Sequence, residues 1–236
     1  MILEMDIGNT FIKWRMRQLD GIVTDAQRCP VADVEALAGE LARLEDIEAV
    51  HLASVAGEGV SSRMSELARR CWGLEPVHAV SQSRNNGLIN SYAEPLRMGV
   101  DRWLAMVALW QRERSAFCVV DCGSAITIDF VDSVGQHEGG YILPGLRLMR
   151  ESLLGNTARV GVGSESAELD MLPGMHTTAA VHNGLNYLFH ALGASLPVKG
   201  KCVYVTGGDG ERFVALGGVG EYCPDLVLDG LQWVVS

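Results

Sequence analysis

Asp6-Ile7-Gly8-Asn9-Thr10 closes an apolar run at the start of this 236-residue chain, and Asp121-Cys122-Gly123-Ser124-Ala125 closes another, Phe117 to Val120. Each leads into a further apolar stretch. A strand ending in Asp-x-Gly-polar, then a tight turn into a second strand, makes a hairpin suited to facing phosphate. Glycine lets backbone N–H groups approach an anion closely, and the small polar side chain adds a donor. The carboxylate repels a polyphosphate directly but can hold it through Mg²⁺ and its waters. Lys13 supplies a nearby cation. A single such segment is equally a plain β-turn with Asp and Asn chosen for turn geometry. Two copies imply two similar half-domains facing one nucleotide, and hence phosphoryl transfer.

Two other segments could join this chemistry. Thr206-Gly207-Gly208-Asp209-Gly210 follows a buried apolar run, and adjacent glycines there would let a flat base or ribose pack on the backbone. Gly99-Val100-Asp101-Arg102 stands between the halves, at a helix start. An Asp there can accept a proton from an attacking hydroxyl. The adjacent Arg can hold a carboxylate or a transferring phosphoryl group. The same pair also reads as an ordinary N-terminal Asp followed by a surface Arg. The six histidines are scattered without HxxxH spacing, and His137, His182 and His190 read as solvated or packed. The six cysteines, at 29, 71, 118, 122, 202 and 223, form no CxxC pair and read as reduced core or surface thiols.

The elements that must carry these residues follow from periodicity. Residues 2–7, 11–17 and 22–28 read as strands. A helix begins after Asp33, a strand covers 49–53, a helix 61–71 and a strand 76–80. Residues 83–99 read as a polar loop. Asp101 opens a helix with Trp103, Val107 and Trp110 on one stripe, which suits either the core or a subunit interface. Strands at 116–121, 125–131 and 138–143, a helix from 146, a second within 175–196, and strands at 202–206 and 226–228 repeat the plan. The fold class is therefore α/β, with half-domains at 1–114 and 115–236. Apolar residues at 48% support a substantial core, while a net charge of −10 excludes a broad nucleic-acid surface. No apolar run is long enough to span a membrane, and Glu4 and Asp6 interrupt the N-terminal run, so no signal peptide is expected and the cytoplasm is the expected compartment.

Taken in order, Asp6 to Thr10, Tyr92, Gly99 to Arg102, Asp121 to Thr127, Gly139-Gly-Tyr-Ile-Leu-Pro-Gly145, Thr157-Ala-Arg159 and Thr206 to Asp209 resemble the bacterial type III pantothenate kinases. That family belongs to the superfamily of actin, hexokinase and the heat-shock chaperone ATPases. The resemblance runs from residue 1 to beyond 228. It implies two actin-like (ribonuclease H-like) half-domains with a nucleotide cleft between them. It also implies transfer of the γ-phosphoryl group of ATP to the primary hydroxyl of pantothenate, giving 4'-phosphopantothenate, the first step toward coenzyme A. On the family's pattern Asp101 is the general base. Tyr92, Gly99, Val100, Asp101, Arg102 and Thr177 bind pantothenate. Asp6, Ile7, Gly8, Asn9, Thr10 and Lys13, with Ser124, bind ATP and its Mg²⁺. Asp121 is the ligand of an activating K⁺ or NH₄⁺, and the family works as a homodimer. Two other functions fit the same resemblance: another small-molecule kinase of the superfamily, or an accessory factor for transcription.

Overall fold

In the computed structural model, which describes residues 1–156, 169–217 and 219–234, the elements of the first half are β1 (Ile2–Ile7), β2 (Phe11–Arg17), β3 (Gln27–Pro30), α1 (Val34–Leu41), β4 (Ala49–Ser54), α2 (Glu58–Trp72), β5 (Val77–His78), β6 (Arg84–Asn85), β7 (Leu88–Ile89) and α3 (Val100–Glu113). Those of the second half are β8 (Phe117–Cys122), β9 (Ala125–Val131), β10 (His137–Pro144), α4 (Leu146–Asn156), α5 (Thr177–Ser195), β11 (Cys202–Thr206), α6 (Gly210–Gly217), β12 (Glu221–Tyr222) and α7 (Leu226–Val234). Two five-stranded sheets result, ordered β3-β2-β1-β4-β5 and β10-β9-β8-β11-β12. Each has a central strand flanked by an antiparallel hairpin partner on one side and a parallel crossover strand on the other. The expected duplication of an α/β plan is thus present, strand for strand.

The period of two along β1 and β2 divides the first sheet sharply. Leu3, Met5 and Ile7, with Ile12, Trp14 and Met16, face one way and are buried with Leu37 and Leu41 of α1 and Met64 and Leu67 of α2. Glu4 and Asp6, with Lys13, Arg15 and Arg17, therefore face the other way. That face is closed by α3 and α7, where Ala53, Val100, Leu104, Val227, Leu228 and Leu231 form one cluster. Charges beneath a helix must be paired. The Glu4 carboxylate accepts from Arg15 Nε at 2.7 Å and from Arg17 Nε at 2.7 Å, and Arg15 Nη1 reaches Asp229 Oδ1 of α7 at 2.7 Å. Burial acts to lower the pKa of Arg15, but these bonds and the two carboxylate charges outweigh it and raise it. His51, beside Glu4 in β4, has its pKa lowered, chiefly by burial.

In the second sheet Cys118, Val120 and Cys122 point to the same face as Ile126 and Ile128 and pack with Phe189 of α5 and Phe213 of α6. The two thiols are accordingly core groups: burial pushes Cys118 up to about 12 and raises Cys122 as well.

Contacts divide the chain into two units, Met1–Ser115 with Val134–His137 and Asp225–Ser236, and Ala116–Ser133 with Glu138–Pro224. Residues 225–234, read with the second half on sequence, group by contacts with the first. The strand expected at 226–228 is instead the start of a helix. Its three apolar residues are too few to reveal a period, whereas the full set Leu226, Val227, Leu231 and Val234 lies at helical spacing. The strand expected at 22–28 is displaced to Gln27–Pro30. Ile22 and Val23 stay exposed because the Asp20-Gly21 turn widens into a loop, with Ile22 O accepting from Gln18 N. The loop expected at 83–99 contains the short β6–β7 hairpin, turned by Asn86 and Gly87, both at positive φ.

Gly230 lets α7 approach α3 closely. A Cβ there would collide with the Leu104 carbonyl oxygen and lie 2.7 Å from its carbon. Backbone cannot step aside cheaply, so Gly230→Ala is expected to cost about 1–3 kcal/mol of stability. Urea unfolding monitored by tryptophan fluorescence measures it, and an unchanged midpoint would contradict the packing described.

Candidate active site

The first Asp-x-Gly turn is tight because Gly8 N donates to Phe11 O at 3.0 Å, while a Cβ on Gly8 would sit only 3.2 Å from that oxygen. Asp6, Gly8 and Thr10 are partly exposed at the end of β1, and Asn9 is exposed. Ile7 differs from its neighbours. Its side chain lies in the core, and its carbonyl accepts from Val55 N and Ala56 N, so it supports the turn from behind. Lys13, the cross-strand partner of Asp6, places Nζ 2.6 Å from Asp225 Oδ1 at the start of α7. That ion pair joins residues far apart in the chain, and sequence reading gave no sign of it.

The Gly99–Arg102 segment lies at the same end of this unit. Ala53, beside Asp6 in the sheet, shares a cluster with Val100 and Leu104 of α3. Asp101 Oδ1 accepts from Arg102 N at 2.8 Å, and a Cβ on Gly99 would be 2.5 Å from that same oxygen. Glycine is therefore required for the Asp101 carboxylate to sit where it does. Arg102 is buried, not an ordinary surface arginine. A cation in the first turn of a helix opposes the helix dipole, so local stability does not explain its presence. Its Nη1 donates to Tyr92 Oη at 2.8 Å, and its guanidinium lies 5.7 Å from the centre of the Tyr92 ring. Tyr92, Gly99, Asp101 and Arg102 thus lie together in one constellation.

The second Asp-x-Gly turn is one residue shorter than the first: Gly123 N donates to Ala125 O at 3.0 Å, where Gly8 N reaches three residues on, to Phe11 O. Two glycine loops close around it. Gly145 N donates to Ser124 O at 3.1 Å, and Asp209 N to Cys122 O at 2.9 Å. Gly207, at φ +87°, comes so near that a Cβ would collide with Asp121 Oδ1. Asp121, Ser124, Gly145 and Gly207 are therefore gathered into one oxygen-rich cradle. Its donors are hard oxygens suited to a phosphate-associated cation. Among the described residues no group of three or more His, Cys, Asp or Glu is placed to hold a metal ion. Thr177 is the exposed first residue of α5, capped by His176, whose Nδ1 accepts from Ala179 N at 3.3 Å. The Thr157-Ala-Arg159 motif lies outside the described residues.

The Trp103, Val107 and Trp110 stripe is fully used within one chain, since α3 is buried on all sides from Arg102 to Trp110. It offers no surface to a second subunit. Sequence reading also missed His137, treated only as packed or solvated. It stacks on Tyr92 with ring centres 6.4 Å apart. No local pattern marks it, because the pairing spans two distant segments.

A family model described as type III pantothenate kinase matches residues 2–196. The chain belongs to that family. It is similar over its whole length to the type III pantothenate kinase of Marinobacter nauticus, at 40% identity with 98% of that protein covered. It is 35% identical to the one from Cellvibrio japonicus, over 98% of this chain and 96% of that protein. Among solved structures it resembles a Baf family protein from Campylobacter jejuni, with a TM-score of 0.62 and 21% identity over 99% of this chain and 96% of that one. It also resembles the ethanolamine utilization protein EutJ from Carboxydothermus hydrogenoformans, with a TM-score of 0.53 and 14% identity over 98% and 89% of the two chains. These structural likenesses establish the actin-like ATPase fold and nothing finer. No helix among the described residues is long and apolar enough to cross a membrane.

Proposed function

We propose that this chain transfers the γ-phosphoryl group of ATP to the primary hydroxyl of pantothenate, opening the route to coenzyme A, with Asp101 as the general base. The observation that carries the reading is the full-length match to curated type III pantothenate kinases. The chemistry of the residues supports it. Pantothenate carries a carboxylate, an amide and hydroxyls, and the Arg102–Tyr92 pair offers a buried guanidinium and a phenol to them. Asp101, one residue away, takes the proton of the attacking hydroxyl, and Thr177 adds a further acceptor contact. Gly8, Asn9, Thr10 and Ser124 offer donors to the phosphates, and Asp6 meets them through Mg²⁺ and water. Lys13 acts from its ion pair with Asp225, which fixes its ammonium beside the turn. Asp121 would hold the monovalent cation, K⁺ or NH₄⁺, which when bound offsets phosphate charge. A role in transcription gains nothing from the Campylobacter jejuni likeness, which is one of fold alone.

The working form is a homodimer. Support comes from unit two, where Leu172, Met175, Tyr187 and Leu188 are exposed on and just before α5, since exposed large apolar side chains suit an interaction surface. This surface takes the place of the Trp103 stripe.

Three outcomes test the reading. Asp101→Asn is expected to lower turnover by about 10²–10⁴-fold in a protein that still melts cooperatively, and near-normal turnover would remove Asp101 from the mechanism. Rates in K⁺ or NH₄⁺ should exceed those in Na⁺, and Asp121→Ala should flatten the K⁺ titration; an unchanged titration would remove the cation from Asp121. Sedimentation equilibrium should give a dimer, with Met175→Asp and Leu172→Asp together shifting it toward monomer. A wild-type monomer active on pantothenate would contradict the dimer.

A further inference from the structure

The short segment Val134–His137, at the tip between β9 and β10, packs with the first unit although both flanking strands belong largely to the second. Its seat is specific. Gly135, at φ +86°, accepts from Ile89 N through its carbonyl at 2.8 Å. A Cβ on Gly135 would lie 2.6 Å from Gly87 O and 2.7 Å from the Trp110 ring, so the tip fits only with glycine there. Trp110 Nε1 in turn donates to Asn86 O at 3.1 Å, tying the β6–β7 turn to α3. The next residue but one, His137, is 1% exposed.

From this geometry we infer that His137 is a positioning residue for the acceptor substrate, acting through Tyr92 on Arg102. This rests on the reading of Tyr92 and Arg102 as the pantothenate site. The chain of contacts is continuous. Ser91 Oγ is 2.8 Å from His137 Nδ1, which fixes the tilt of the imidazole. The imidazole stacks on the Tyr92 ring at an interplanar angle of 25°. Tyr92 N donates to Asn90 Oδ1 at 3.0 Å, and Asn90 Nδ2 to Gln82 O at 3.1 Å, so the backbone beneath the ring is held as well. The phenol oxygen then accepts from Arg102, whose guanidinium lies 5.7 Å from the centre of the Tyr92 ring. A tyrosine in a loop has two free torsions, and a flat partner on its ring removes them before substrate arrives. His137 needs no contact with substrate to do this. It sets the Tyr92 ring plane, and with it the position of the Arg102 guanidinium that donates to the Tyr92 phenol.

The test separates stacking from hydrogen bonding and position from fold. His137→Phe keeps a flat ring against Tyr92, His137→Asn keeps a polar atom for Ser91 without the ring, and Tyr92→Ala serves as the reference. We expect His137→Asn to raise KM for pantothenate about ten-fold to a hundred-fold, as loss of substrate positioning does. KM for ATP should stay within about two-fold, and melting should remain cooperative. His137→Phe should restore most of the pantothenate KM. In the Tyr92→Ala background His137→Asn should add little, because its effect passes through the missing ring. If Tyr92→Ala raises KM for pantothenate while His137→Asn leaves it unchanged, or if the two effects add in full, the inference is overturned and the site reading stands. If Tyr92→Ala itself leaves KM unchanged, the site reading falls and this inference with it. Equal loss for both substrates in all His137 variants would mark a purely structural residue and overturn the inference too.

Discussion

The Glu4 carboxylate is fully buried in the middle of a sheet, and much of the first unit is arranged to make that tolerable. An unpaired carboxylate in that position is not viable, and removing a partner from a buried ion pair typically costs about 3–5 kcal/mol. Two guanidiniums, from Arg15 and Arg17, answer it from the neighbouring strand. The second guanidinium leaves a positive excess, which Asp229 balances from α7. The pairing also fixes the β1–β2 register. A slip by one residue would turn Glu4 into the aliphatic layer under α1 and α2, and set Leu3 and Met5 against the charged groups of the other face.

The network is one of position as much as of charge. Asp225, just before α7, and Asp229, one turn on, meet Lys13 and Arg15, alternate residues of β2. The helix is therefore set in rotation and in height on the sheet. Through Gly230 it approaches α3 closely, and α3 begins with the segment that carries Asp101 and Arg102. The proposed base Asp101 and the arginine proposed to bind the acceptor thus inherit their position from a line of contacts that starts at Glu4. A buried ion network is weak evidence for net stability but a firm constraint on geometry, and geometry is what phosphoryl transfer demands of a protein.

What could be read in the sequence was local. The two Asp-x-Gly turns, the α3 start and the major strands declare themselves through glycine chemistry and apolar period, and they stand where the chain pattern put them. The β6–β7 hairpin was legible too, since Asn86-Gly87 is a strong two-residue turn signal, but its polar surroundings masked it. Leu226 to Leu228 was too short to distinguish strand from helix. The pairing of Lys13 with Asp225, the burial of Arg102 and the stack of His137 on Tyr92 could not be read at all. Each depends on which distant segments the fold brings together, and no local pattern encodes that. The tryptophan stripe illustrates the same limit: an amphipathic signal says that a face is buried, not by which chain.

The first unit is discontinuous, and this bears on how the protein is made. Arg15 and Asp229 are 214 residues apart. Synthesis proceeds at about 5–20 residues per second, so for many seconds β1 and β2 exist outside the ribosome without α7. During that interval the charged face of the sheet is open to water, where Glu4, Arg15 and Arg17 are solvated at little cost. The opposite, aliphatic face can already close over α1 and α2. The charged face is dehydrated only when residue 229 emerges. Placing ions instead of leucines on the surface that waits longest keeps the nascent chain from presenting a sticky sheet to its neighbours. The same ions then act as the latch when α7 arrives.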